Sequence, residues 1–154
     1  MVRSMKNGVI YHTDIEWFNF LMQRNIKEVN FWTGRTHNNL NIPNDAYFFF
    51  KTENHEIVGM ARYVKQVSLT LEEMWSLYGV ANGVNSYTDL RDLVIEDFRS
   101  FDEKSKIKGI ILRNMVKFEN SVKLYDVNQQ KIQVLKYIDQ ETTKDILKKA
   151  GLPI

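Results

Sequence analysis

The 154-residue chain has no cysteine, only two prolines and seven glycines, and its longest unbroken apolar run is residues 46–50. Without cysteine there is no disulfide framework, no thiolate metal site and no Cys nucleophile, and three scattered histidines could bind zinc only with help from several carboxylates. The apolar runs fall far short of the roughly 20 residues that a membrane-spanning helix needs. The first residues also lack the apolar stretch of an export signal, so the chain is expected in the cytoplasm with no membrane partner. Charge of one sign is lacking too: 21 Lys and Arg against 19 Asp and Glu leave a formal +2, so any nucleic-acid surface has to be a local basic patch. What the sequence does have is aromatics, with 3 Trp, 7 Tyr and 9 Phe within a 44% hydrophobic composition. That is enough apolar material for one packed core at this length, and residues 1–154 are expected to form a single domain.

Hydrophobic periodicity and turn chemistry divide the chain into short elements. Residues 9–12 alternate like a strand, and Thr13 with Glu16 has the capping-box spacing that opens a helix running to about Arg24. The apolar residues of that helix, Ile15, Trp17, Phe18, Leu21 and Met22, do not form one clean stripe, so at least one aromatic is exposed or packs on a second surface; Trp17 is assigned to the core. Residues 28–32 read as a strand, and the Asn-rich stretch 33–45 as a loop, because Asn and Gly favour turns. Strands at 46–51 and 56–65 are joined by a polar turn as a hairpin, with Tyr47 to Phe50 apolar enough to be buried on both faces. Thr70 with Glu73 opens a helix over 71–78 that Gly79 closes, and Asn82 with Gly83 marks a turn. Ser86 with Asp89 caps a third helix whose Leu90, Leu93, Val94 and Phe98 share one face. Strands at 107–113 and 131–138 follow, with a weaker one at 115–118, and Asp139 caps a last helix ending at Gly151. The fold class is α+β: a mixed sheet of five to six strands, curled toward a barrel, with peripheral helices. Ending just past a helix stop signal is expected of the amino-terminal part of a longer protein.

No catalytic constellation is visible. There is no Gly-Lys-Ser/Thr phosphate loop, no Gly-x-Ser-x-Gly elbow, no paired histidine at helical spacing and no dinucleotide fingerprint. His37, Asn38 and Asn39 spell part of a nuclease label, but that nuclease spreads its His and Asn over tens of residues on a hairpin and a helix. The adjacent acids Glu72 and Glu73, and Asp102 and Glu103, point to different faces and read as solvated surface. The chain is therefore expected to be no enzyme and to hold neither cofactor nor metal. The aromatics admit two readings. They are core, or some of them stack on an extruded base whose polar edge is read by Asn or Asp side chains.

The order of motifs carries a resemblance. Tyr11 to Asp14 with Trp17 and Phe18 is followed by Asn30, Phe31 and Trp32, then by Tyr47 to Lys51, Ile57 to Gly59, and Trp75, Tyr78, Gly79, Asn82 and Gly83. This series resembles the amino-terminal domain of predicted restriction endonucleases that carry an HNH nuclease further along the chain, a PUA-superfamily domain related to EVE, ASCH, YTH and SRA readers. The resemblance implies a barrel-like sheet with a concave pocket for one flipped, often methylated nucleotide. It implies Trp32 as the first aromatic wall, followed by the polar loop and the Phe-rich strand. On this basis the candidate base pocket is Trp32, Asn30, Asp45 and Tyr47, with Trp75 or Tyr78 as second wall, and the candidate DNA-backbone contacts are Arg35, Lys51, Arg62 and Lys65. The expected partner is double-stranded DNA carrying a modified base, with a nuclease or motor domain in the same or a partner chain. An RNA reader and a protein-interaction domain are the alternatives.

Overall fold

A computed structural model describes residues 7–33, 40–98, 101–123 and 135–153. Six strands, β1 (Gly8–His12), β2 (Glu28–Thr33), β3 (Tyr47–Lys51), β4 (Glu56–Leu69), β5 (Ile107–Lys123) and β6 (Leu135–Ile138), form one sheet in the order β2-β5-β4-β3-β1-β6. Only β1 and β3 run parallel, so the sheet is mixed. β1 and β2 lie four places apart in that order, yet Tyr11 of β1 meets Phe31 of β2 edge-on at 4.9 Å between ring centroids. The sheet must curl to allow this, and the curl closes through side chains while the sheet stays open. The long antiparallel pair β4 and β5 supplies the bend, with register breaks at three places along it.

Helix α1 (Ile15–Gln23) enters the mouth of the curl and drives Phe18 and Leu21 into a core shared with Val9, Tyr11, Phe31, Phe48 and Phe50. A side chain at Gly59 would collide with the Phe18 ring and the Val116 carbonyl, so this helix can seat so deeply only over a glycine. On the other face of β3, Phe49 packs with Ile10, Phe118 and Ile146 under α4 (Gln140–Lys149). Phe48, Phe49 and Phe50 are thus all buried because β3 is covered on both faces. A third cluster, Leu71, Met74, Leu90, Val94 and Ile107, joins α2 (Leu71–Tyr78) and α3 (Tyr87–Asp97) to the start of β5.

Local signals set most of the helix starts. Thr70 and Glu73 form a reciprocal capping box, Ser86 Oγ accepts from the Asp89 N–H, and Asp139 accepts from the Thr142 N–H. Three expectations need correction. The cap of α1 is Asp14, whose carboxylate accepts from the Glu16 N–H; Thr13 instead is buried and donates to the Tyr11 carbonyl. The strands expected at 107–113 and 115–118 are one, because β5 passes Asn114 in a left-handed conformation without ending. Leu93 is 38% exposed, since the buried stripe of α3 narrows to Leu90 and Val94. No helix among the described residues is long and apolar enough to cross a membrane.

Candidate nucleic-acid interface

A groove of about 810 Å³ opens between the amino-terminal end of α1, the ends of β1 and β2, and α3. Its size lies within the ~300–1,000 Å³ of small-molecule sites. Tyr11, Trp17, Phe20, Phe31 and Trp32 supply its aromatic walls.

Two indoles define the site. Trp17 projects from α1 and Trp32 from β2, and both donate their Nε1–H to one acceptor, the Asn82 carbonyl, at 3.1 and 3.0 Å. That carbonyl belongs to the 3-10 turn Gly79–Asn82 between α2 and α3, and the turn is fixed by its own side chain. The Asn82 amide donates to the Met74 and Gly79 carbonyls at 3.0 and 2.9 Å, and its Oδ1 accepts from Asn30 Nδ2 at 2.8 Å. Gly83 follows with φ +87°, and a Cβ there would lie 2.1 Å from Trp17 Cδ1. Only glycine meets both demands, a left-handed backbone and an indole lying against the chain. Both tryptophans are half-buried, so each keeps part of its ring toward the groove.

The rim is acidic. Asp14 and Glu16 of the α1 start face Asp89, Asp92, Glu96 and Asp97 of α3, and the described lining residues include no Lys or Arg. None of these six carboxylates forms an ion pair among the described residues. Burial raises the Asp97 pKa above the usual Asp range, and the nearby Glu96 and Asp14 charges add to the shift. Arg24 stands at one edge, its guanidinium 3.5 Å from the centroid of the Phe20 ring and its Nη2 3.4 Å from Asn85 Oδ1. His12 also lines the groove, with Nδ1 buried and without a partner among the described residues. No cluster of His, Asp and Glu among those residues could hold a metal ion.

The residues singled out from sequence are distributed over several places. Trp32 lines the groove; of the candidate pocket residues it is the one that does. Asn30 is fully buried behind it: its Nδ2 donates to Asn82 Oδ1 and Met74 Sδ, while its Oδ1 lies buried against Gly109 without a partner among the described residues. Asp45, Tyr47 and Arg62 gather elsewhere: Arg62 lies 3.8 Å over the Tyr47 ring and reaches Asp45 at 3.2 Å, and Arg113 closes on the other Asp45 oxygen at 2.7 Å. Hydrogen bonding from Arg113 and the charges of both arginines hold the Asp45 carboxyl below its usual range. Trp75 packs on the α2–α3 cluster, and Tyr78, whose phenol is pushed up by burial and then by Glu28, ends α2; neither lines the groove. Lys51 is buried, and burial followed by the Lys136 charge lowers its pKa. Lys65 is exposed on β4, and Arg35 lies outside the described residues.

Sequence reasoning missed Trp17 as a wall and α3 as a rim. The first had a signal in the broken stripe of α1, where an aromatic had to serve a second surface. The second had one in Asp89, Asp92 and Glu96, whose spacings of three and four draw an acidic face beside the apolar one.

No family model and no curated protein matches the sequence. Solved structures do match. The ASCH protein from Zymomonas mobilis shares 17% identity over 93% of this chain and 95% of that one, with a TM-score of 0.66. A hypothetical protein from Leishmania major gives 0.59 at 11% identity, over 94% of each chain. The N-terminal domain of McrB from Staphylothermus marinus gives 0.55 at 9% identity, over 97% of this chain and 98% of that one. At such identities the likeness is one of fold: this chain shares the fold of the ASCH protein and of the McrB N-terminal domain.

Proposed function

We propose that this domain binds nucleic acid and reads one extruded base in the groove walled by Trp17 and Trp32, acting as the DNA-specificity module of a modification-dependent restriction system. The observation that carries the reading is the pair of indoles from different elements, tied to one carbonyl and both lining a groove large enough to admit a nucleoside. Fixed, partly exposed rings are what base stacking requires, because their ordering cost is met during folding. The fold shared with the N-terminal domain of McrB supports placing the domain in restriction, with cleavage supplied by a nuclease or motor domain of the same or a partner chain. The groove itself offers no described Lys or Arg for phosphates, so backbone contacts come from outside it, with Arg24 and Lys65 as the exposed candidates.

The test is a titration of short duplexes carrying no modification, N6-methyladenine, 5-methylcytosine or 5-hydroxymethylcytosine, with matched RNA strands, at 50 and 200 mM salt. Wild-type protein is expected to prefer one modified duplex, with log K falling by about 0.9 per phosphate contacted for each unit of log salt. Trp32→Ala and Trp17→Ala should each weaken that preference by roughly 5- to 150-fold, the equivalent of ~1–3 kcal/mol of stacking. Folded variants that keep the preference would overturn the pocket. A preference for RNA would move the substrate class but not the site. A protein-docking role is the second reading, favoured by Leu77 and Val80, which expose 64% and 44% of their surface on α2 and the turn after it.

A further inference from the structure

From the charge around the aromatic walls we infer that the groove selects a base that is cationic at neutral pH, of the class made by alkylating a ring nitrogen that carries no hydrogen, such as N1 of adenine or N3 of cytosine. The inference rests on the base-reading function above and names its substrate class. By themselves the carboxylates would be a solvated helix face. What makes them selective is their position around a groove lined by aromatic rings.

Three observations bear on the occupant's charge. Aromatic faces carry negative electrostatic potential, strongest for the indoles supplied here by Trp17 and Trp32, and attract cations that lie over them. Six carboxylates from two elements, Asp14 and Glu16 on α1 and Asp89, Asp92, Glu96 and Asp97 on α3, surround those rings without an ion pair among the described residues. Their mutual repulsion is relieved by any cation that enters. All six residues are exposed, so their field is screened by salt, and the attraction is strongest at low ionic strength. Lastly, the chain already places a cation in this setting, the Arg24 guanidinium stacked on Phe20 and touching Asn85, two residues of the same groove.

A neutral base would gain the stacking alone, and a phosphate would be repelled. A planar cation gains both stacking and charge. Alkylation at a ring nitrogen also removes a Watson–Crick hydrogen-bonding position in bases such as 1-methyladenine and 3-methylcytosine. Such a base is already unpaired in a duplex and costs less to extrude.

The isomers 1-methyladenosine and N6-methyladenosine separate charge from size, since they differ in the methyl position and in one proton. Each deoxynucleoside is titrated into the full chain by tryptophan fluorescence at 50 and 500 mM salt, alongside deoxyadenosine and N-trimethyllysine. The 1-methyl isomer is expected to bind about tenfold or more tightly than the N6-methyl isomer at low salt, with the ratio shrinking at high salt. The double variant Asp92→Asn, Glu96→Gln changes two exposed side chains and should keep its melting midpoint while losing most of that ratio. A neutral isomer that binds equally well or better overturns the cation inference and leaves base reading standing. An unchanged ratio in the double variant overturns the role of the rim. Trimethyllysine binding without nucleoside binding, or no binding at all, overturns the cationic-base proposal and the base reading beneath it.

Discussion

The groove and the Asp45 cluster are both built from charges and aromatic rings, and they differ in whether those charges are answered. At the cluster, one carboxylate meets two arginines and an arginine covers a tyrosine, so the charges and the ring face are satisfied inside the protein. At the groove, the six carboxylates form no ion pair and the two indoles no cation–π contact among the described residues, and Arg24 at the edge rests on Phe20. Residue types that look equally functional in sequence therefore do opposite things. The cluster staples the Asp45 turn to β4 and β5, while the groove carboxylates stay unpaired among the described residues. A second difference concerns rigidity. The groove's indoles are anchored to the main-chain carbonyl of Asn82, on a turn that its buried side chain fixes and that belongs to neither wall.

The comparison breaks most readily at that anchor. Asn82→Ala removes partners from the Met74 and Gly79 carbonyls and from the Asn30 amide, all inside the fold. A loss of about 3 kcal/mol or more in urea unfolding is expected, since each orphaned buried group costs ~1–3 kcal/mol. A change below 1 kcal/mol would mean that the groove does not depend on this turn. Next comes Gly83→Ala, which must both strain a φ of +87° and push the Trp17 indole aside. It is expected to cost more than ~1 kcal/mol and to alter the tryptophan fluorescence, whereas Gly151→Ala, at φ +77° with open space around it, bears the backbone strain alone.

Smaller effects sharpen the contrast in charge. Asp45→Asn should cost under ~1 kcal/mol at neutral pH, because its ion pairs are half-exposed and screened by water. The Asp45 pKa is lowered by folding, so this stabilisation is present above the unfolded-state pKa and is lost as pH falls through the folded one. Asp97 has the opposite sign. Its pKa is raised by burial and by Glu96 and Asp14, so its cost to the fold is absent below the unfolded-state pKa and grows as pH rises through the folded value. Asp97→Asn is accordingly expected to be neutral or stabilising within about 0.5 kcal/mol at pH 7, with the gain vanishing in acid. Thermal melts of both variants from pH 3 to 7 should show the two trends diverging.

Much of the fold was legible because it is written in short-range chemistry. Thr70 with Glu73, Ser86 with Asp89, and Asp139 act through contacts three residues away, which a sequence displays directly. The unbroken apolar run 47–50 announced a strand covered on both faces, and β3 is one. The site was less legible because its parts come from distant positions. Trp32 could be named through the resemblance carried by its strand and the loop after it, but Trp17 is brought beside it by the curl of the sheet and by Gly83. Asn30 looked like a free amide, but it is buried and its NH2 donates to Asn82, fifty-two positions along the chain.

The sequence by itself determined the α+β class, most of the helix caps and the absence of cysteine chemistry, because composition and contacts a few residues apart decide them. The tertiary structure alone decided which aromatics face outward and which charges are answered. Both depend on how far β1 and β2, four places apart in the sheet, are drawn together by its curl, and no local pattern encodes that distance.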